Sequence, residues 1–315
     1  MKDLRIVFMG TPEFAVQSLK AILSAGYNVV GVITAPDKPA GRGRKLQQSD
    51  VKKYALEQNL KVLQPVNLKS EDFQNELKAL EPNVQVVVAF RMLPQTVWAL
   101  PEFGTFNLHA SLLPQYRGAA PINWSIINGD TETGVSTFFI DEKIDTGAMI
   151  LQEKISIGED ENVGLLHDRL METGSSLVVK TLQLIENGQV RTRLQEESET
   201  LKAAPKLDRE NTKIDWEKPV DEIHNLIRGL NPYPAAWCFL KNNSEEKKVK
   251  IFGTKKKKIS HKLETGQIMI EDKKMIVAAK DGFIVVEEIQ LPGKRKMKVK
   301  ELLNGYTFNS DAKMR

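Results

Sequence analysis

The chain is poor in cysteine and in long apolar runs. Its 315 residues include a single cysteine, Cys238, so no intrachain disulfide can form. A cysteine-based zinc site is excluded, and a reducing compartment is expected. No segment approaches the ~20 apolar residues that span a bilayer, and the apolar run at 6–9 is too short for the core of a signal peptide. These absences predict a protein without a membrane partner that is cytoplasmic, or organellar only if a transit peptide has been removed.

The chain is otherwise of ordinary globular composition, with 41% hydrophobic and 27% charged residues. Its length exceeds what most single cores hold, so two domains are expected. The net charge of +4 is unevenly distributed, because residues 207–315 carry 23 Lys and Arg against 16 Asp and Glu. A basic C-terminal part of this kind indicates a polyanionic partner.

The N-terminal part alternates strand-like and helix-like segments. Apolar runs typical of parallel strands lie at 4–9, 28–34, 84–90 and 105–109, and an antiparallel pair is expected at 134–140 and 149–155. Helical patterns lie at 12–25, 120–128 and 162–186. This alternation predicts an α/β domain with a doubly wound, mostly parallel sheet over residues 1–188. The polar stretch 189–211 is then a linker.

The C-terminal part, residues 212–315, begins with a short helical pattern at 219–229 and continues with short β-type runs between turn residues. The runs lie at 236–240, 249–252, 266–270, 275–279 and 283–289. Their spacing predicts a small β-barrel. Five strands suit an OB-like barrel, although the pattern alone does not separate it from an SH3-like one.

Asn107 and His109 are the main candidates for catalysis. They lie two positions apart on a predicted strand and therefore on the same face. A carboxamide can donate a hydrogen bond to an oxyanion, and an imidazole can move a proton. The strand is followed by the loop 111–114, whose backbone groups are expected to be free to hold a flat ligand. The pattern indicates an acyl-transfer site.

Asp145 lies in a turn, 141–147, that follows the next predicted strand. A carboxylate there could orient His109 and raise its basicity. The alternative is a turn aspartate that bonds its own backbone. Composition alone favours this alternative, because one sequence does not place the turn beside His109. None of the four histidines has a partner at metal-ligand spacing, so no metal site is predicted.

Three basic segments could contact phosphates. The first is the loop 36–45, in which two prolines and two glycines accompany four cations, and a phosphate-contacting role is favoured over a solvated loop. The other two are clusters at 255–258 and 294–300. Solvated charge is the usual interpretation of such runs, and two of them in a small barrel leave nucleic-acid binding equally open.

Several motifs together resemble the methionyl-tRNA formyltransferase family over essentially the whole chain. The carrying motifs are Phe-Met-Gly-Thr-Pro-Glu-Phe-Ala at 8–15, Pro-Ala-Gly-Arg-Gly-Arg-Lys at 39–45, Asn-Leu-His-Ala-Ser-Leu-Leu-Pro-Gln-Tyr-Arg-Gly-Ala-Ala-Pro at 107–121, Asp-Thr-Gly at 145–147 and Leu-Asn-Pro-Tyr-Pro at 230–234. The central motif is specific for folate-dependent formyltransferases. One departure is Ala-Phe-Arg-Met-Leu at 89–93, where many relatives have Ala-Tyr-Gly.

The resemblance implies a Rossmann-like formyltransferase domain, a C-terminal OB-like β-barrel, and 10-formyltetrahydrofolate as the formyl donor without a metal. It implies that the acceptor is initiator methionyl-tRNA, and a monomer is expected. The implied catalytic residues are Asn107, His109 and Asp145. The implied folate-site residues are Phe90, Met92, Ser111, Leu112, Leu113 and Pro114. The implied tRNA-binding residues are Lys38, Arg42, Arg44, Lys45, Lys255, Lys256, Lys294, Arg295 and Lys296.

Two other functions stay open at this point. One keeps the folate chemistry but uses glycinamide ribonucleotide or an amino sugar nucleotide as the acceptor, and the basic C-terminal part argues against it. The other is an RNA-binding protein without catalysis, which the set of Asn107, His109 and Asp145 argues against.

Overall fold

The computed structural model describes residues 3–40 and 45–315. Its strands are β1 (Arg5–Gly10), β2 (Asn28–Ile33), β3 (Lys38–Ala40), β4 (Lys45–Gln47), β5 (Val62–Leu63), β6 (Val84–Val88), β7 (Thr105–His109), β8 (Arg117–Gly118), β9 (Glu132–Phe139), β10 (Met149–Ser156), β11 (Ala203–Ala204), β12 (Ala236–Asn242), β13 (Glu245–Lys257), β14 (Ile268–Glu271), β15 (Lys274–Ala279), β16 (Gly282–Gln290), β17 (Met297–Lys298) and β18 (Lys313–Met314). Its helices are α1 (Glu13–Ser24), α2 (Asp50–Glu57), α3 (Glu71–Lys78), α4 (Gln95–Trp98), α5 (Pro121–Ile127), α6 (Val163–Glu186), α7 (Val220–Gly229) and α8 (Val299–Leu302). Within the described ranges, no helix has both the length and the apolarity needed to cross a bilayer.

The chain forms two compact units. The first unit contains Met1–Gly118, Thr133–Ile155 and His167–Ala203. The second unit contains Ala119–Glu132, Ser156–Leu166 and Ala204–Arg315. The domain boundaries placed at 188 and 211 from the sequence stay a prediction.

The first unit is built on a seven-stranded sheet in the order β10-β9-β7-β6-β1-β2-β5. β1 pairs in parallel with β2 and β6, β6 pairs in parallel with β7, and β9 runs antiparallel to β7. All five residues of β6 are buried, as a central strand covered on both faces requires. The predicted doubly wound, mostly parallel sheet is confirmed.

The strand order gives this sheet a topological switch point. From β1 the chain continues to β2 and β5 on one side, and it returns to β6 and β7 on the other. In open α/β sheets, ligands bind beside such a point at the carboxyl ends of the strands. The segments that follow β1, β6 and β7 therefore border the expected ligand crevice, and His109 is the last residue of β7.

The second unit is built on an antiparallel sheet that curls into a half-barrel, with the order β14-β15-β16-β13-β12-β18 and β17 beside β16. The five strands predicted for this part correspond to β12–β16. α7 covers the sheet with Val220, Ile223 and Ile227, which lie at helical spacing and join the same apolar core as Cys238. The predicted C-terminal barrel-like fold is confirmed.

Candidate active site

Asn107 lies in the interior of the first sheet, where hydrogen-bond partners are expected for every buried polar atom. Its Cα is in register with Val87 on β6 and with Phe138 on β9. The Oδ1 atom of Asn107 is buried and has no hydrogen-bond partner among the described residues. A buried polar atom without a partner costs about 1–3 kcal/mol. As an acceptor, this oxygen can take a hydrogen bond from an N–H or O–H group of a bound ligand.

His109 and Asp145 lie together, as the catalytic hypothesis requires. The His109 side chain is 8% exposed and that of Asp145 is 13% exposed, and His109 Nδ1 lies 3.7 Å from Asp145 Oδ2. His109 Nε2 lies 2.8 Å from the carbonyl oxygen of Tyr116. Both ring nitrogens therefore face oxygen atoms that can accept a hydrogen bond.

The turn 141–147 contains two aspartates with different partners. Asp141 bonds within the turn, because its Oδ1 accepts from the backbone N–H of Lys143 at 3.1 Å and from the Thr146 hydroxyl at 2.7 Å. Asp145 Oδ2 instead accepts from the backbone N–H of Gly118 at 2.9 Å, across 27 positions of sequence. The alternative of a self-bonded turn aspartate thus describes Asp141, and Asp145 is directed to the His109 side.

The backbone of Asp145 is held in a strained conformation by the side chain of Gln195, which Arg117 holds in turn. Its φ is +56°, in the left-handed region that a non-glycine residue rarely adopts. Gln195 Nε2 donates to the carbonyl oxygens of Asp145 and Gly147, each at 2.9 Å. Gln195 Oε1 accepts from Arg117 Nε at 3.0 Å and from Nη2 at 2.9 Å. Gln195 therefore links the turn to the segment that follows β7.

Sequence reasoning did not identify Gln195, which lies in the predicted linker 189–211. Arg193, two positions earlier, makes two backbone hydrogen bonds with Met149, so this part of the stretch belongs to the first unit. The partners of the Gln195 side chain are 48 to 78 positions away in sequence. A lone glutamine in a polar stretch carries no local signal of such contacts.

The loop 111–114 is more constrained than its sequence indicates. The hydroxyl of Ser136 donates to the Ser111 carbonyl at 2.6 Å and accepts from the Leu113 N–H at 3.1 Å. Gln152 Nε2 donates to the Leu113 carbonyl at 2.8 Å. The expectation of free backbone groups is therefore wrong for Ser111 and Leu113, because buried backbone groups take partners from neighbouring strands.

The side chains of the same loop differ in exposure. Leu113 is 2% exposed and packs with Phe138 and Met149, and Ser111 is buried with its hydroxyl on the Gln115 carbonyl. Leu112 and Pro114 are half-buried. Of the four residues predicted to line the folate site, Leu112 and Pro114 keep side-chain surface for a ligand.

The segment after β6 brings Phe90 and Met92 to the same edge of the sheet as His109, since β6 and β7 are parallel neighbours. Phe90 is half-buried and Met92 is 66% exposed. Arg91, the departure from the common motif, donates to the carbonyl oxygens of Val66, at 2.8 Å, and Pro65. Its guanidinium lies 5.7 Å from the centre of the Phe90 ring. The Arg91 cation is thus bound to backbone carbonyls of the first unit.

The predicted basic loop at 36–45 contains a short antiparallel ribbon, because β3 pairs with β4. Lys38 is exposed at the start of β3. Arg42 and Arg44 lie outside the described residues, and of Lys45 the structure describes the backbone pairing in β4.

Most of the predicted tRNA-binding cations of the second unit form ion pairs. Lys255 lies 3.1 Å from Glu287 and Lys256 lies 3.0 Å from Asp221. In the second cluster, Lys294 is exposed. The other two predicted tRNA-binding cations of this cluster form ion pairs. These pairs are Arg295 with Glu301 at 2.9 Å and Lys296 with Glu288 at 3.0 Å. Four of the five cations therefore have part of their charge balanced within the fold.

Among the described residues, no group of three or more His, Cys, Asp and Glu side chains is arranged to hold a metal ion.

Comparison with known proteins agrees with the fold. The formyl transferase family model matches residues 4–182, and the model of the formyl transferase C-terminal domain matches residues 206–307. A methionyl-tRNA formyltransferase of Flavobacterium johnsoniae is 61% identical and one of Flavobacterium psychrophilum is 56% identical, with 100% and 99% of both chains covered. The crystal structure of a sugar 3N-formyl transferase, WlaRD, shares the fold with a TM-score of 0.66 at 23% identity, over 94% of this chain and 100% of its own. The chain therefore belongs to the formyltransferase family, and to the methionyl-tRNA formyltransferases within it.

Proposed function

We propose that this protein transfers the formyl group of 10-formyltetrahydrofolate to the α-amino group of methionine on initiator tRNA. The observation that carries the proposal is the buried His109–Asp145 pair, whose histidine lies on the same strand as Asn107, in a chain 61% identical over its full length to a methionyl-tRNA formyltransferase. The cytoplasmic location and the monomeric state stay predictions.

The reaction needs a neutral amine and a stabilised oxyanion. The free α-amine of an amino acid has a pKa of about 7.7–8.0, and the neighbouring ester lowers it, so much of the amine is neutral at pH 7. Its nitrogen attacks the formyl carbon, and the carbonyl electrons move to oxygen. The bond from that carbon to the folate nitrogen then breaks as the proton of the amine passes to the leaving nitrogen. No covalent enzyme intermediate is required.

Asn107 and His109 supply the stabilising groups in this proposal. The amide of Asn107 donates to the developing oxyanion, and the imidazolium of His109 supplies a second donor and positive charge. Asp145 holds the ring through its Nδ1 side. Because Nε2 faces the Tyr116 carbonyl at 2.8 Å, donation from Nε2 to the oxyanion requires the ring and that carbonyl to separate when substrates bind.

The folate donor binds the apolar surface at the switch-point edge, and the tRNA binds the cationic surfaces. Phe90, Met92, Leu112 and Pro114 offer apolar contacts to the pterin at the switch-point edge, with Ser111 and Leu113 shaping the loop beneath them. The cations around Lys38, including Arg42, Arg44 and Lys45, contact the acceptor arm. Long-range electrostatic attraction to the RNA comes from the cations of the second unit, Lys255, Lys256, Lys294, Arg295 and Lys296. Four of these five form ion pairs, which reduce their attraction for the RNA phosphates.

The test is formyl transfer to methionyl-tRNA by Asn107→Ala and His109→Ala. Loss of one oxyanion donor typically lowers kcat by about two to three powers of ten, and the KM for the folate donor should change little by comparison. Near-normal turnover by either variant refutes its role.

Asp145→Asn has a matched control in Asp141→Asn, since both changes remove one charge from the same turn. Only the change at Asp145, the residue that faces His109, should slow the reaction. Equal losses in both variants would show that the turn contributes through its charge alone, and the assigned role of Asp145 would then be wrong.

The competing acceptors are tested in the same assay. A sugar nucleotide amine replaces the charged tRNA, and the ratio of the two kcat/KM values decides between them. The fold that the chain shares with a sugar 3N-formyl transferase makes this comparison necessary. A higher kcat/KM with the small amine would overturn the proposed acceptor.

A further inference from the structure

The outer face of β12 and β13 carries an aromatic and cationic surface that the sequence analysis did not single out. Along β12, Ala236, Cys238 and Leu240 belong to the core of the second unit. Trp237 and Phe239 alternate with them and lie on the opposite face. In the register of the pair, Trp237 is opposite Lys250 and Phe239 is opposite Lys248.

Two further cations reach this face from the segment before α7. Lys213 forms an isolated parallel bridge with Trp237, and Trp237 Nε1 donates to the carbonyl oxygen of Arg209 at 3.0 Å. We call the set Arg209, Lys213, Trp237, Phe239, Lys248 and Lys250 the Trp237 face. It spans two strands and the segment that bridges to them.

Three cations of the Trp237 face lie over its rings, and the fourth, Lys250, donates to the Pro234 carbonyl oxygen at 3.0 Å. Lys248 Nζ is 3.8 Å from the centre of a Trp237 ring, and the Arg209 guanidinium carbon is 5.4 Å from it. Lys213 Nζ is 5.8 Å from the rings of both Trp237 and Phe239. These distances are within the ~6 Å range of cation–π attraction. The rings therefore help to hold Arg209, Lys213 and Lys248 in place without neutralising them.

Within the ranges that the structure describes, no carboxylate forms an ion pair with Arg209, Lys213, Lys248 or Lys250. Nearby acidic groups are used locally: Asp208 accepts from the backbone N–H of Glu210, and Asp215 accepts from that of Glu217. Burial, followed by the charges of Arg209 and Lys250, lowers the pKa of Lys248. The four positive charges repel one another, in contrast to the ion-paired clusters at 255–258 and 294–300.

A surface of this kind matches the phosphate backbone of an RNA. Cations that meet no carboxylate in the fold are available to release the counterions of a polyanion. Arg209, Lys213 and Lys248 are exposed, which suits the backbone of a large ligand better than a small enclosed anion.

We propose that the Trp237 face binds the phosphate backbone of the tRNA substrate. This inference rests on the proposed function, because the polyanion it names is the acceptor of that reaction. Each phosphate contact made by a cation of the face contributes to the salt dependence of tRNA binding. The slope of log Kd against log salt is about 0.9 per contact for a duplex and about 0.7 for a single strand.

The experiment compares two double variants of the full chain. In the first, Lys213→Gln and Lys248→Gln remove two charges from the Trp237 face. In the control, Lys218→Gln and Lys247→Gln remove two charges that are paired with Glu222 and Glu245. Both double variants change the net charge equally, and thermal unfolding verifies that each is folded.

The dissociation constant for methionyl-tRNA is measured from low to moderate salt. The variant of the Trp237 face should bind about ten-fold more weakly at low salt, and its salt slope should fall by about 1.4–1.8, as the loss of two contacts requires. The control should keep the wild-type slope. A wild-type Kd and slope in the first variant, or equal losses in both, overturn the inference.

The proposed function is tested separately in the same preparation. If wild-type protein fails to formylate methionyl-tRNA, the function is wrong whatever the slopes are. If wild-type protein formylates and the first variant keeps its slope, the function stands and the assigned surface is wrong.

Discussion

Gln195→Met tests whether the network behind Asp145 contributes to catalysis. Methionine keeps the length and nearly the volume of glutamine, but it cannot donate to the carbonyl oxygens of Asp145 and Gly147 or accept strongly from Arg117. The change therefore removes four hydrogen bonds and leaves the packing intact. Arg117 keeps one partner, Glu197 at 3.0 Å, whose side chain is 75% exposed.

The magnitude follows from the two carbonyls and from the backbone of Asp145. A neutral hydrogen bond contributes about 0.5–1.5 kcal/mol net, so the two lost donations amount to about 1–3 kcal/mol. The left-handed conformation of Asp145 itself costs about 1–3 kcal/mol and persists only while its surroundings hold it. Loss of the two donors therefore allows the turn to relax and the carboxylate to leave His109. If returning His109 to its productive orientation adds about 1.4–2.8 kcal/mol to the activation free energy, kcat falls about 10- to 100-fold.

The assay is steady-state formyl transfer to methionyl-tRNA, with kcat and both KM values measured across pH. We expect the loss in kcat, with each KM within about two-fold of wild type, because Gln195 acts through the turn and contacts no predicted substrate surface. Gln195→Glu should be equally slow, since a carboxylate can pair with Arg117 but cannot donate to the two carbonyls. Gln189→Met is the matched control at an exposed position.

Three results would refute this reasoning. The first is a wild-type kcat in Gln195→Met. The second is a loss confined to KM, which would place Gln195 in substrate binding. The third is full activity in Gln195→Glu, which would show that the contact with Arg117 is sufficient and that the donations to Asp145 and Gly147 do not matter.

The remaining predictions concern two buried groups and one glycine. Burial is the largest cause of the lowered pKa of His224, so the unfolded state binds the proton first as pH falls below about 6.5, and the free energy of unfolding should decrease in that range. In His224→Gln, denaturant titrations from pH 7 to 5 should show a free energy of unfolding that depends less on pH. Burial raises the pKa of the Cys238 thiol to about 12, so a thiol reagent at pH 8 should modify it only in denaturant. A Cβ on Gly147 would lie 1.7 Å from the Phe139 carbonyl oxygen, so Gly147→Ala should lower both the melting temperature and kcat. If both values stay at wild type, this close approach does not fix the position of the turn.

The fold was predictable because its signals are local. The apolar runs over β1, β6 and β7 fix which segments lie inside the sheet, and the short runs over β12–β16 do the same in the second unit. Asn107 and His109 were predictable for the same reason, since the two-residue period of one strand places them on one face. No contact with a distant segment is needed to single out this pair.

The rest of the site depends on contacts between distant segments, which periodicity does not encode. Sequence alone favoured a self-bonded Asp145, and the partners of its carboxylate and of Gln195 appear only when β7, the turn and the stretch after α6 are brought together. The free backbone expected for Ser111 and Leu113 was wrong because the Ser136 and Gln152 side chains reach them from neighbouring strands.

Charge counting has a similar limit, and the second unit demonstrates it. Runs of lysine in a sequence indicate a candidate site for a polyanion. On the folded surface, however, lysines of such runs form ion pairs with carboxylates, as Lys256 does with Asp221. The cations of the Trp237 face are scattered along the chain and meet the aromatic residues only across strands, so no single window of sequence reveals them. Attraction to a polyanion depends on the charge that the fold leaves unpaired. A measured salt slope that follows Lys213 and Lys248 but not paired lysines would establish this distinction.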